Sequence, residues 1–182
     1  LHVVLAAQGV HADPLAPVLH RVVHETTKMG ADNPDNHYMT ARIDGRYDYR
    51  IRGQRGSVHY LGFGTQIGHY GQGGGLPPTG YLEASELAIA DDGRFEIVLS
   101  SQPQPGNWLP MTPETGNLIV RQTFLDREHE EPAELLIERI GGDGAVSPVT
   151  AQAIDEGLRS ASTLVAGASL LFGAAVGQAA ED

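Results

Sequence analysis

The chain has 182 residues, a formal net charge of −11 from 23 acidic against 12 basic residues, 41 % apolar content and no cysteine. This length suits one domain that buries roughly 70 % of its unfolded surface, and the balance of apolar and charged residues is that of a folded protein, not a disordered one. The negative charge repels phosphate backbones and argues against nucleic acid as a partner, while the absence of cysteine excludes disulfides, thiolate nucleophiles and cysteine-ligated metals.

Eleven of the basic residues are arginine and Lys28 is the only lysine, so lysine-dependent phosphate or Schiff-base chemistry has one candidate residue. The lack of cysteine fits a cytoplasmic protein. No basic n-region of a secretory signal opens the chain. Leu1 at one end, and Glu181-Asp182 directly after a helical pattern at the other, read as the ends of a domain taken from a longer protein.

In chain order, Leu15, Val18, Leu19, Val22 and Val23 recur at helical spacing behind Pro14, which predicts an amphipathic helix to about Thr27. Gly30 to Asn36 is a run of turn formers. From Tyr47 the period becomes two: Tyr47, Tyr49 and Ile51 share one face, and Asp48, Arg50 and Arg52 the other. Gly53-Gln-Arg-Gly56 then predicts a hairpin that returns through Ser57–Phe63. Further strands are expected at Tyr81–Ile89 (or a helical turn there), Arg94–Ser100, Leu118–Phe124 and Ala133–Ile140, with Asp91-Asp-Gly93 as a hairpin turn.

Short strands between Gly/Pro turns favour an antiparallel, jelly-roll-like β sandwich with flanking N- and C-terminal helices. The expected division is 1–29 helical segment, 30–143 β sandwich and 144–182 C-terminal helix. That last helix is expected to start at Ser147 as N-cap with Pro148 behind it. Ala161, Leu164, Val165, Ala168, Leu171, Phe172 and Ala175 form its apolar stripe. Ser160–Ala180 carries no charge and holds a Gly173-Ala-Ala-Val-Gly177 motif, so a membrane span has to be weighed. Only six residues there are strongly apolar, contributing at best about −2 to −4 kcal/mol. Their one-sided placement suits packing on protein, so no membrane span is expected.

The glycine-rich stretch Gly62–Gly80 lacks the offsets, the lysine and the following helix of a phosphate loop, and reads as a mobile loop over one end of the sandwich. His20 and His24 stand four apart on the expected helix without a third ligand, so no metal or cofactor is expected. Asp126-Arg-Glu-His-Glu-Glu131 is an acidic run that reads as a solvated turn. His59 falls on the polar side of its strand, near Arg50 and Arg52, and with His69 is a candidate pocket histidine. Arg42, Arg46, Arg50, Arg52 and Arg55, interleaved with Asp44 and Asp48, read as a cross-strand salt-bridge ladder, or as forks for an anionic ligand. No Gly-x-Ser-x-Gly elbow is present, against an α/β-hydrolase.

Two motifs then come together. Asp32-Asn-Pro-Asp-Asn36, with Tyr38, Ala41 and Ile43-Asp-Gly45, leads into Tyr49-Arg-Ile-x-Gly53-x-Arg55-Gly56; later come Asp92-Gly93, Asn107-Trp-Leu-Pro110 and Leu118-Ile-Val-Arg121. Over about Gly30 to Ile140 this order and spacing resembles the bacterial "domain of unknown function 1214" family. The resemblance implies a jelly-roll-like sandwich, often within proteins that carry a second related module. Many members continue the arginine strand as Arg-x-Tyr, where this chain has Arg121-Gln-Thr-Phe124, so a role for that tyrosine does not transfer.

Physically, Asn107 can hold a turn, Trp108 can plug the end of the sandwich, and Asn33–Asn36 can knit the entry of a strand. Asn36, Tyr38, Arg50, Arg55, His59, Asn107 and Trp108 are also the residue types of a polar-rimmed ligand pocket. The leading expectation is a module that binds a small molecule or carbohydrate-like ligand, with a second module or a second copy as partner. The competing expectations are a metal-dependent or acid/base hydrolase or lyase using His59 or His69, and a purely structural module.

Overall fold

The structure, a computed structural model, describes residues 13–25, 27–28, 33–69, 76–145 and 148–179. Along the chain run β1 (His20–Val23), β2 (Asn36–Arg42), β3 (Tyr49–Gln54), β4 (Tyr60–Ile67), β5 (Pro78–Glu83), a 3-10 turn (Ala84–Glu86), β6 (Arg94–Ser100), β7 (Trp108–Pro110), β8 (Thr115–Thr123), β9 (Glu134–Arg139) and α1 (Ala151–Ala179).

The strands form two sheets, ordered β1-β2-β8-β4-β5 and β7-β6-β3-β9. The alternation that marks β3 in the sequence is its burial pattern: Tyr49 and Ile51 are fully buried, while Arg50 and Arg52 point to the surface. The inner faces share one core, built from Leu61, Phe63, Leu118 and Val120 of the first sheet and Tyr49, Ile51, Ile97 and Leu99 of the second. Phe63 and Phe95 meet edge to face across it, with centroids 6.1 Å apart, a favoured aromatic geometry.

Several expectations change here. Residues 20–23 are a strand paired antiparallel with β2, not part of a helix. The helical spacing of apolar residues 15–23 therefore arises from two short pieces with different partners. His20 and His24 consequently do not share a helix face. Ser57–Phe63 does not fold back on β3 as a hairpin: β3 lies in the second sheet and β4 in the first, so Gly53–Gly56 carries the chain between layers. Asp91-Asp-Gly93 is a tight turn, with Gly93 at φ +81, but it leads from β5 in one sheet to β6 in the other. The second sheet is also mixed, because β7 runs parallel to β6.

Residues 81–89 divide between β5 and the 3-10 turn, so both alternatives for that stretch occur. Much of the expected glycine-rich loop is strand, with Gly62 and Gly64 in β4 and Gly80 in β5; Gly71–Gly75 lies outside the described residues. The 126–131 run is a turn: Asp126 Oδ1 and Oδ2 receive the Glu128 N–H and face His129 Nδ1. Ser147 also lies outside the described residues, and α1 is capped by Thr150, whose Oγ1 accepts the Ala153 N–H at 3.1 Å. Among the described residues no helix is long and apolar enough to cross a membrane. Ala161 of α1 is buried, but Ile154, Leu158 and Val165 stay about half exposed.

Candidate functional site

The seven residues singled out in the sequence do not meet in one pocket. Arg50 and Arg52 stand on the outer face of β3 between Glu96 of β6 and Glu138 of β9. Arg50 reaches Glu96 at 3.0 Å and Glu138 at 3.4 Å, and Arg52 reaches the same two at 3.5 and 3.2 Å. This is the salt-bridge ladder, its charge neutralised within the sheet. Arg55 donates to the Val58 carbonyl at 2.8 Å and braces the passage from β3 to β4. Its guanidinium is held below its usual range by burial.

His59 is exposed on that same passage, just ahead of β4. Asn107 is wholly occupied with backbone: its amide donates to the Ala88 and Glu96 carbonyls at 3.0 and 2.9 Å, and its oxygen accepts the Ala88 N–H at 2.8 Å. Trp108 lies half-buried on the edge strand β7, with its indole N–H on the Ser100 carbonyl at 3.1 Å, and its neighbour Leu109 is the fully buried one.

Asn36 and Tyr38 are different. Both lie on β2 with their side chains on the outer face of the five-stranded sheet, opposite to the core-facing Met39 and Ala41. Strand order brings distant residues beside them. Tyr38 stands opposite Arg121 of β8, Arg121 opposite Gly62 of β4, and Gly62 opposite Glu83 of β5. In the next row Asn36, Thr123 and Tyr60 align. In the row beyond Tyr38, Thr40, Ile119, Gly64 and Tyr81 align.

The groups on this face are connected. The Asn36 amide donates to the Tyr38 hydroxyl at 2.6 Å, and the Thr123 hydroxyl donates to the Asn36 oxygen at 2.7 Å. The Arg121 guanidinium lies over the Tyr38 ring, 5.3 Å from its centroid, within cation–π range. The Tyr60 and Tyr81 hydroxyls are hydrogen-bonded to each other. The Tyr60 hydroxyl rests against Gly62, where any larger side chain would displace it. Burial, then the Tyr81 hydrogen bond, push the Tyr60 phenol up to about 12, so it stays protonated and able to donate at neutral pH. Tyr81 is 57 % exposed and Arg121 is exposed, so the patch is open to a ligand from solvent.

A cleft of about 240 Å³ has Asn36 in its lining. There Arg21, Lys28 and Arg127 stand among Glu25 and Asp35, with Arg21 paired to Glu25 and Arg127 near Asp35. Among the described residues no group of three or more His, Asp or Glu side chains is placed to hold a metal.

Tyr60, Tyr81, Glu83, Arg121 and Thr123 are the site residues that sequence reasoning missed. Strand alternation places Arg121 and Thr123 on one face of β8. What a single sequence does not contain is that β8 lies between β2 and β4, since the paired Asn36 and Thr123 are 87 residues apart in the chain.

The chain is similar to an uncharacterised protein from Burkholderia cenocepacia of known crystal structure, at 48 % identity and a TM-score of 0.87. The match covers 92 % of this chain and 47 % of that one, so the chain spans about half the length of the Burkholderia protein. A Vibrio parahaemolyticus protein aligns over 70 % of this chain and 31 % of its own, at 14 % identity and a TM-score of 0.39. No family model matches the chain, and no curated protein does.

Proposed function

We propose that this is a jelly-roll-like β-sandwich module, related to the bacterial "domain of unknown function 1214" family, that binds a carbohydrate-like ligand on the outer face of its five-stranded sheet. The observation that carries the reading is the patch of Tyr38, Tyr60 and Tyr81 around Gly62, interleaved with Asn36, Thr123, Arg121 and Glu83. A sugar ring has an apolar C–H face and a hydroxylated rim. Tyrosine offers it an apolar body with a polar tip, and the amide, hydroxyl and charged groups offer the donors and acceptors that fix orientation. A sheet supports such groups rigidly, because the strands that carry them are held in register by backbone pairing. A cytoplasmic location is part of the proposal and rests on the absence of cysteine.

The test is binding of the protein to an array of oligosaccharides, with Tyr81→Ala and Tyr60→Ala alongside. Retention of at least one saccharide class by the wild type is expected, with each variant weaker by up to about tenfold. Absence of binding across the array, or binding indifferent to both tyrosines, contradicts the reading.

A second reading concerns α1. Its half-exposed Ile154, Leu158 and Val165 lie on one side of the helix, and the Burkholderia protein continues well beyond the matched region. We propose that this side of α1 packs on a second module of the same protein or on a second copy.

A further inference from the structure

We propose that the ligand of the five-stranded face is an acidic saccharide, recognised through its carboxylates by Arg42 and Arg121. This rests on the carbohydrate reading and narrows it to uronate-containing chains.

The observation is a contrast between the two outer faces. On the four-stranded sheet, Arg50 and Arg52 are each shared between Glu96 and Glu138, so that face has nothing left for an anion. On the five-stranded sheet, neither Arg42 nor Arg121 has a carboxylate within ion-pairing distance among the described residues. Arg121 lies over the Tyr38 ring. Arg42 is half-buried at the far end of β2, opposite Asn117, which in turn bonds Gln66 at 2.8 Å. The nearest acid in sequence, Asp44, is engaged by Arg46, whose Nε lies 2.9 and 3.1 Å from its two oxygens. Burial of a guanidinium is unfavourable and draws Arg42 down to about 10, a shift that the charge of Asp44 opposes only in part.

In a protein of net charge −11, two arginines without an ion pair on one face, with Glu83 two strands from Arg121 in the same row, are not explained by a shortage of carboxylates. They stand four residues apart along the strands and one strand apart across them, which places their backbones about 14 Å from each other. A single small anion cannot reach both. A short polymer with an acid on each unit can, lying over Thr40 and Ile119 in the row between them. The guanidinium fork matches a carboxylate in shape, and such charge-assisted hydrogen bonds are about twice as strong as neutral ones.

The experiment is calorimetric titration of the protein with tetragalacturonate and with neutral maltotetraose, repeated for Arg42→Gln and Arg121→Gln after their folding is checked by thermal melting. Tighter binding of tetragalacturonate is expected, with a loss of about tenfold for that ligand alone in each variant. Arg121 is exposed, so Arg121→Gln remains informative even where Arg42→Gln fails to fold. Equal affinity for the two saccharides, unchanged in the variants, overturns the acidic-ligand proposal and leaves the carbohydrate reading standing. Failure of tetragalacturonate to bind overturns this proposal, and the array experiment then decides the broader one.

Discussion

At the scale of single residues, the same side chain type does opposite things on the two sheets. Arg50 and Arg52 are neutralised by neighbours in register, at sites where all four side chains keep substantial exposure. Pairs of that kind contribute about 0–1 kcal/mol. Arg50→Ala with Arg52→Ala is therefore expected to shift the urea unfolding free energy by less than about 1 kcal/mol, and to leave saccharide binding unchanged. A large loss of binding would place the ligand on the wrong face of the molecule.

His37 gives a pH effect at the same scale. It packs edge-on against Phe124 with centroids 4.7 Å apart, and burial holds its imidazole below the ordinary value of 6.5, with Arg21 and Arg127 adding to the shift. The folded state thus favours the neutral ring. Its contribution to stability is complete above 6.5 and declines as pH falls below it, because the unfolded chain takes up a proton that the folded one resists. Urea midpoints measured on either side of that value should fall on the acid side for the wild type, and fall less for His37→Phe. An equal fall in both would remove His37 as the cause.

At the scale of elements, strands were legible wherever one face met the core. β3, β6 and β9 follow from alternation, because Tyr49 and Ile51, Phe95 and Ile97, and Ile137 are buried beside exposed or half-exposed neighbours. The segment before Gly30 misled because Leu15, Val18, Leu19, Val22 and Val23 imitate a helix. Residues 20–23 instead gain their backbone hydrogen bonds from β2, a partner that periodicity cannot reveal. The hairpin expected after β3 failed for a related reason. Turn residues at 53–56 say that the chain reverses, not which sheet receives it.

The motif residues behave as the elements need. Asn107 ties the loop after the 3-10 turn to β6 through three backbone hydrogen bonds. Asn107→Ala should cost about 1–3 kcal/mol, since the partners it leaves are backbone groups at the protein surface or just below it. Chemical denaturation checks this, and the saccharide affinity of the folded fraction should not change. A variant of full stability would show that water replaces the side chain completely.

At the scale of the whole molecule, two surfaces stand out from the rest. One is the tyrosine and arginine face of the five-stranded sheet. The other is the apolar side of α1, a helix that among the described residues makes no substantial contact with any strand. Leu158→Glu with Ile154→Glu should leave the strands intact by circular dichroism and abolish association with a second module or copy, read by sedimentation. Association that survives both changes would remove this side of α1 from the interface.

The arrangement of the binding face depends entirely on strand order, with residues 36–42, 115–123, 60–67 and 78–83 laid side by side. Asn36 and Tyr38 were visible as candidates because they sit in a dense motif. Tyr60, Tyr81 and Arg121 became their neighbours only through pairing. The most direct measurement is a saccharide titration followed by amide resonances of the isotopically labelled protein, using the strongest array hit. The account predicts shifts concentrated in Asn36–Arg42, Tyr60–Gln66, Pro78–Glu83 and Asn117–Thr123, with Arg50 and Arg52 unmoved; shifts centred on β3, β6 and β9, or none at all, would contradict it.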